Sequence, residues 1–539
     1  MPAGTTESGL TAGGLERGAR EAHSRHTVTT NASPGDSAGR RRQQEVYLDG
    51  VRGVLPDVPV SFPALEERAR SAMSTRAFAY VAGSAGLEST TAANREAFER
   101  LRIVPRVFRD VTVRETSVEL FSRTLPAPLL LAPIGVLEMA HGDADLAVAR
   151  AAAAEGVPMI FSNQASVSME ECATAANREA FERLRIVPRV FRDVATRDTS
   201  IELLSRTLPS PLLLAPIGVL EMAHRDADLA VARAAAADGV PMIFSSQASV
   251  AMEECATAMG EAPRWFQLYW STSDELVASF VHRAEASGCE AIVVTLDTTL
   301  FGWRPRDLDL AFLPFALGKG IAQYTSDPVF QQLVEDRLGE PSPSSGRVTP
   351  EAVRSLVELT RRYPGSFWRN LRSGIPRVAV RTFLDIYSRP SLTWEDLSFL
   401  RSQTSLPILL KGVLDPEDAR IAVDRGVSGL VVSNHGGRQV DGAIASIDAL
   451  PGIVESVGDE VPVLLDSGIR CGADIFKALA LGARAVLIGR PYVYGLALAG
   501  EQGVRQVIRD LRADFDLTMG LAGCRSAAEI RNAQLARGD

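Results

Sequence analysis

Apolar positions come in short unbroken blocks along this chain. Runs with almost no polar interruption recur at 212–216, 241–245, 265–269, 291–297, 406–411, 429–433, 462–466 and 485–489. Blocks of that length, apolar at successive positions and bounded by Gly, Pro or Ser, mark parallel strands buried on both faces. Between them lie stretches with helical spacing, at 226–237 (ended by Gly239), 273–286, 416–425 and 473–481. Eight strands alternating with helices is the count of a closed (β/α)8 TIM barrel, so an α/β fold is expected.

Two stretches break the alternation. Between the fourth and fifth strands, residues 300–390 carry turn-forming clusters such as Pro341-Ser342-Pro343-Ser344-Ser345-Gly346. A loop this long on the carboxyl face of a barrel is expected to be a lid. Upstream, residues 91–173 recur as 174–256, each residue 83 positions from its counterpart, with ten differences that include Gly142/Arg225, Asn163/Ser246 and Ser168/Ala251. Two nearly identical copies are too few and too alike for a stacked repeat, and they read as a recent tandem duplication. Each copy spells strand, helix, strand, which in the first copy spans 129–162. Both together would raise the strand count beyond what a side-chain-filled barrel accommodates. The second copy joins the third strand through the short link 256–264. It is therefore expected in the barrel, with 91–173 as a displaced βαβ appendage. A duplication that blocked closure would leave an inactive pseudoenzyme.

Residues 1–43 are rich in Gly, Ser, Thr, Ala and Arg. They hold too little apolar surface to offset their ordering entropy and lack the apolar core of a secretory signal, so a disordered tail is expected. The folded domain is placed at 44–539, starting with a helical segment that Ser61 caps. Tyr80 stands just before a run of small residues and Gly, where backbone can approach a ligand.

Composition narrows the class. A net charge of −9 and a pI near 5.5 weigh against nucleic acid or an anionic membrane as partner. No run reaches the length of a membrane span. The five cysteines are scattered and lack CxxC spacing, which points away from a disulfide framework or metal site and toward a reduced, cytoplasmic setting.

The chemistry collects at strand ends. After 429–433 comes Ser433-Asn434-His435-Gly436-Gly437-Arg438-Gln439. A lone His in a polar turn is most often a satisfied loop residue. Here it shares the carboxyl ends of the strands with Ser245, Gln267, Tyr269, Thr295, Asp297, Arg304, Lys411, Asp466, Arg470 and Arg490. Lys411 ends an apolar strand and needs an anionic partner. Gly468-Ile469-Arg470 and Gly489-Arg490 follow the seventh and eighth strands, where barrels commonly bind phosphate. The residues by themselves support an enzyme with a phosphate-bearing cofactor.

Five motifs in order give a closer match: Gln267-Leu268-Tyr269, Lys411-Gly412, Ser433 to Gln439, Leu465-Asp466-Ser467-Gly468-Ile469-Arg470 and Ile488-Gly489-Arg490-Pro491. With them the chain resembles the FMN-dependent L-2-hydroxy-acid oxidase/dehydrogenase family from about residue 44 to about 530. Phe301-Gly302-Trp303-Arg304-Pro305 and the segment Tyr324-Thr325-Ser326-Asp327-Pro328 most resemble the lactate 2-monooxygenase branch. The resemblance implies FMN, a small L-2-hydroxy acid such as lactate, O2 as co-substrate, no metal and a homotetramer. It implies His435 as the base in oxidation at C2, oriented by Asp297, and Arg304 and Arg438 on the substrate carboxylate. Tyr80 and Tyr269 would line the substrate site, with Tyr324 as a further candidate. Lys411 would stabilise the reduced, anionic flavin. Pro216, Ile217, Gly218, Ser245, Gln267, Thr295 and Ser433 would meet the isoalloxazine, and Asp466, Gly468, Arg470, Gly489 and Arg490 the ribityl phosphate. Pro133-Ile134-Gly135 and Ser162 of the first copy offer the same groups. Alternative outcomes are an oxidase releasing 2-oxo acid and H2O2, and a dehydrogenase feeding a quinone or cytochrome.

Overall fold

In the computed structural model the residues described are 38–56, 58–82, 89–110, 118–120, 123–125, 128–129, 184–340, 349–441 and 443–537. The strands Leu212–Leu214 (β1), Met242–Phe244 (β2), Arg264–Leu268 (β3), Ile292–Thr295 (β4), Ile408–Val413 (β5), Gly429–Val432 (β6), Val463–Asp466 (β7) and Ala485–Ile488 (β8) pair in parallel. They form one closed barrel, and the ring shuts where β8 meets β1, Val486 beside Leu212 and Ile488 beside Leu214. All eight fall on the apolar blocks.

A helix follows each strand: Ala227–Asp238 (α1), Met252–Met259 (α2), Asp274–Ala286 (α3), Asp396–Gln403 (α4), Pro416–Asp424 (α5), Ser446–Val457 (α6), Gly472–Ala480 (α7) and Arg490–Leu521 (α8). Local chemistry sets their ends. Ser273 accepts from the Leu276 N–H to start α3, and Asp415 accepts from Glu417 and Asp418 to start α5. Gly239, at φ 64°, ends α1. α8 breaks at Ala499 and Gly500, whose backbone is not helical. No helix among the described residues is long and apolar enough to cross a membrane.

β1 and β2 come from the second copy, as the short link to β3 requires, and the ring closes despite the duplication. The first copy's βαβ unit lies outside the described residues apart from Leu129. The duplicate 91–173 is nevertheless not wholly an appendage. Its residues Val107 and Phe108 are 3% and 4% exposed, whereas their counterparts Val190 and Phe191 are 79% and 105% exposed. The reason is electrostatic as well as apolar. The fully buried Asp418 carboxylate accepts from the Val107 N–H at 2.7 Å and from Arg106 at 3.1 Å, and Phe108 packs on Trp394 at 4.3 Å. Burying side chains of this size contributes about 1.5–3 kcal/mol each.

One further boundary changes. The tail expected over 1–43 is overturned from residue 38 on, where Ala38–Val51 is a helix; residues 1–37 lie outside the described residues. Gln43 is buried and donates to the carbonyls of Phe301 and Gly302 at 3.1 and 2.9 Å, and Val46 and Tyr47 pack on Leu308 and Ala311. Polar composition concealed a face whose partners lie some 250 residues away.

The insertion after β4 carries secondary structure of its own. It contains helices Pro328–Asp336, Pro350–Arg362 and Ile375–Ile386, while its Pro/Ser cluster lies outside the described residues. Tyr324 is fully buried among the rings of Phe280, Phe330 and Phe383, with centroids 5.0, 5.4 and 4.8 Å away. It pins the insertion to α3 as a core residue and does not face a substrate.

Barrel identity can be read from Ser246. This fully buried hydroxyl donates to the Gln267 carbonyl at 2.6 Å and accepts from the Tyr269 N–H at 3.0 Å. Its counterpart in the first copy is the larger Asn163. Overpacking of this kind costs about 1–3 kcal/mol. Ser246→Asn is expected to lower stability by that amount in urea melts, while Asn163→Ser leaves it unchanged; equal effects would mean that neither copy is preferred in the ring.

Candidate active site

A cavity of about 450 Å³ opens at the carboxyl ends of the strands, a volume within the usual range for small ligands. Pro216, Ile217 and Gly218 after β1, Tyr269 after β3, Arg304 from the insertion, Lys411 on β5, His435 and Arg438 after β6, and Asp466, Gly468, Arg470, Gly489 and Arg490 after β7 and β8 all line it.

The floor carries a buried charge pair. Lys411 Nζ lies 2.8 Å from Asp466 Oδ2. Lys411 also donates to Ser433 Oγ at 2.9 Å, and Ser433 donates to Asp466 at 2.6 Å. The Ser433 oxygen accepts once more, from the His435 backbone N–H at 3.0 Å. Burial alone would lower the Lys411 pKa, but the Asp466 and Asp297 charges outweigh it and the net shift is upward. Burial would raise the Asp466 carboxyl, yet Lys411 and the Ser433 hydrogen bond hold it below the usual carboxylate range. Lys411 is thus a fixed cation under the cavity.

His435 stands beside this pair. Its Nδ1 is 2.9 Å from Asp297 Oδ1. A carboxylate there favours the tautomer with the proton on Nδ1, leaving Nε2 as the basic nitrogen. The backbone is in the left-handed region at His435, Gly436 and Gly437, with φ of 57°, 65° and 76°, a strained arrangement of a kind found at functional sites. Gly412 makes the His–Asp pair possible. A strand irregularity between Lys411 and Val413 sets Gly412 at φ 102°, and a Cβ there would lie 2.8 Å from the Asp297 side chain.

Four guanidinium groups, those of Arg304, Arg438, Arg470 and Arg490, share the cavity. Burial, then the Arg438 charge, push the Arg304 pKa down to about 10 against the opposing pull of Asp307. Burial, then Arg438 and Arg470, also push Arg490 down. Cations that destabilise one another in a cleft are suited to anions. Arg470 and Arg490 stand at the starts of α7 and α8, Arg490 reaching across to donate to the Gly436 carbonyl at 3.0 Å, and Arg438 follows three residues after His435. Burial and the Asp297 charge push the Tyr269 phenol up, which keeps it a neutral donor.

Not every expected residue reaches the cavity. Ser245, Gln267, Thr295 and Ser433 are buried away from its lining. The first three form a chain in which Ser245 Oγ donates to Gln267 Oε1 at 3.0 Å and Gln267 Nε2 donates to Thr295 Oγ1 at 2.9 Å. Tyr80 lies on the helix Thr75–Ala82, with its side chain outside the described residues.

Other residues are at the site without having been singled out. Gln439 Nε2 donates to the carbonyls of Asp297 and Leu300 at 2.7 and 2.9 Å, and its Oε1 accepts from Arg304 at 3.0 Å. It fastens the end of β4, the insertion and the loop after β6 together. Its place directly after Arg438 was the available signal. Tyr387 and Phe315 line the cavity from the insertion and carried no sequence signal.

Comparison with known proteins agrees with this architecture. A family model described as FMN-dependent dehydrogenase matches residues 69–177 and again 171–537, one match for each copy. L-lactate oxidase of Lysinibacillus sphaericus (strain C3-41) is 43% identical over 363 residues, covering 67% of this chain and 84% of the relative. Glycolate oxidase 1 of Oryza sativa subsp. japonica is 39% identical over 377 residues, covering 70% and 91%. A crystal structure of mandelate oxidase superimposes with a TM-score of 0.53 at 37% identity, over 68% of this chain and 90% of that one.

The cavity suits FMN on its own chemistry. Arg470 and Arg490, with Gly468 at φ 89° and two helix N-termini, could hold a phosphate, and Lys411 could set a cation against an electron-rich ring. Barrel, basic groups and His–Asp pair together place the chain in the FMN-dependent dehydrogenase family, whose members are FMN-dependent oxidoreductases acting on 2-hydroxy acids.

Proposed function

We propose that the chain oxidises a small L-2-hydroxy acid, foremost lactate, using O2, and that it completes the reaction as a monooxygenase giving acetate, CO2 and water. The observation that carries the reading is the His435–Asp297 pair set beside Arg304 and Arg438 in one cavity. A 2-hydroxy acid offers a carboxylate, a hydroxyl and a C2 hydrogen at adjacent atoms, and these three groups match cations, base and phenol.

Arg304 and Arg438 bind the carboxylate, where a planar fork gives two parallel hydrogen bonds. Gln439 and the ring of Phe301, 4.0 Å from the Arg304 guanidinium, fix the direction of that fork. Tyr269 donates to the substrate oxygen. His435 Nε2 takes the proton released in oxidation, and Asp297 stabilises the charged ring. FMN, when bound, would supply the two-electron acceptor for oxidation at C2, with O2 as the final oxidant. Lys411, held by Asp466, offers its charge where negative charge develops. Phe312–Phe315 and Tyr387 line the cavity with mostly apolar side chains from the insertion.

Lactate and O2 balance either as pyruvate plus H2O2 or as acetate, CO2 and water. The second outcome requires pyruvate and peroxide to stay together in the site long enough to react. An insertion built of packed helices beside the cavity favours retention.

Three outcomes test the reading. His435→Asn is expected to lower turnover about 10²–10⁴-fold while the protein stays yellow; full activity would remove His435 from the chemistry. Asp466→Leu leaves Lys411 buried and unpaired, and urea denaturation is expected to show a loss of about 3–5 kcal/mol, whereas an unchanged midpoint would show that the pair is not needed. With lactate as substrate, acetate should equal lactate consumed with little peroxide. Stoichiometric pyruvate and H2O2 would instead make the chain an oxidase that releases its 2-oxo acid.

A further inference from the structure

Residues 101–110 and 184–193 carry the same ten amino acids, Leu-Arg-Ile-Val-Pro-Arg-Val-Phe-Arg-Asp; the second pairs its Leu184–Ile186 with Leu535–Arg537, yet its Val-Phe pair is exposed where that of the first is seated. In the first, the Ile103 carbonyl accepts from the Ile444 N–H at 2.8 Å. Arg106 meets three carboxylates at the start of α5: Asp415 at 3.5 Å, Glu417 at 3.0 Å and Asp418 at 3.1 Å. Val107 is anchored to the same buried Asp418, and Phe108 fills the groove against Trp394. In the second, Arg189 keeps a backbone hydrogen bond to the Ala522 carbonyl, but Val190 and Phe191 project into solvent. Phe191 already has the left-handed backbone of its docked twin, φ 56° against 51°.

We propose that the groove at the start of α5, between Asp418 and Trp394, is an assembly surface for Arg189-Val190-Phe191 of a second copy of this chain, and that residues 101–110 fill it in cis. The occupant is identified by the groove's present content. The same sequence sits there, with its arginine on three acids and its phenylalanine on an indole. Two adjacent large apolar side chains left fully in water are what an unsatisfied contact surface looks like.

The cis segment wins by mass action. A tethered segment acts at an effective concentration of order millimolar. A neighbour at micromolar concentration is outcompeted by roughly a thousandfold when the two sequences are identical. The duplication thereby caps an interface that the chain retains on both sides. Patch and groove are made of different residues, so a chain released from the cap would associate head to tail. This inference does not depend on the reaction proposed above.

The test uses the full-length holoprotein and a fluorescein-labelled peptide with the sequence of residues 184–193. Arg106→Ala/Phe108→Ala removes the two side chains that fill the groove, weakening the cis segment's hold without touching the cavity. It is expected to bind the peptide at least about tenfold more tightly than the unsubstituted chain, and to sediment as a larger species at matched concentration. Adding Phe191→Ser should return sedimentation to that of the unsubstituted chain while peptide binding persists. Where the double variant does not fold, Phe108→Leu is read in the same way. Equal peptide binding with and without the groove substitutions, or self-association indifferent to Phe191, overturns the proposal.

Discussion

Closure of the barrel between β8 and β1 is the constraint on which everything else depends. Until Val486–Ile488 pairs with Leu212–Leu214, the loops after β1, β6, β7 and β8 do not face one another, and no cavity exists. Closure also adjudicates the duplication. An eight-stranded ring has room for one βαβ unit of the two, and short connection selects the copy contiguous with β3. The surplus sequence is then free to find other partners, and part of it does so on α4 and α5.

Inside the ring, apolar packing and charge are set against each other. Leu409 and Leu410 are fully buried, and the next residue along the strand is a lysine. That cation is tolerated because Asp466 and Ser433 use its hydrogen-bonding capacity within the barrel. The same arrangement couples the floor to the base, since one serine oxygen touches Lys411, Asp466 and the His435 backbone. Above the floor, four guanidiniums have no comparable set of buried anions. The cavity is therefore prepared for anionic ligands: the phosphate that belongs with the family's cofactor, and the carboxylate of the proposed substrate.

The mouth is assembled from three distant parts of the chain. The first helix reaches Phe301 and Gly302 through Gln43, the insertion brings Arg304 and Tyr387, and Gln439 ties the insertion to the end of β4. The insertion itself is held by the aromatic cluster around Tyr324 and by Asp327, which caps a helix and pairs with Arg283. The mouth is thus built by elements outside the ring, held to it by contacts between distant residues.

The sequence by itself determined the eight strands, their parallel order and the helices between them, because strands buried on both faces must be continuously apolar. It also exposed the strand-end residues, since Lys411 closes an apolar block and His435, Arg470 and Arg490 follow shortly after others. The duplication was plain from identity alone. Tertiary structure decided what depends on contact between distant residues. It made Tyr324 a core residue, made a helix of Ala38–Val51, and gave the insertion beside the cavity packed helices of its own. It placed Ser245, Gln267, Thr295 and Ser433 in buried hydrogen bonds, and gave Gln439 and Gly412 their positions around Asp297. It also gave one ten-residue sequence two environments, which no property of the sequence can do, because burial is conferred by the surface a segment meets and not by the segment itself.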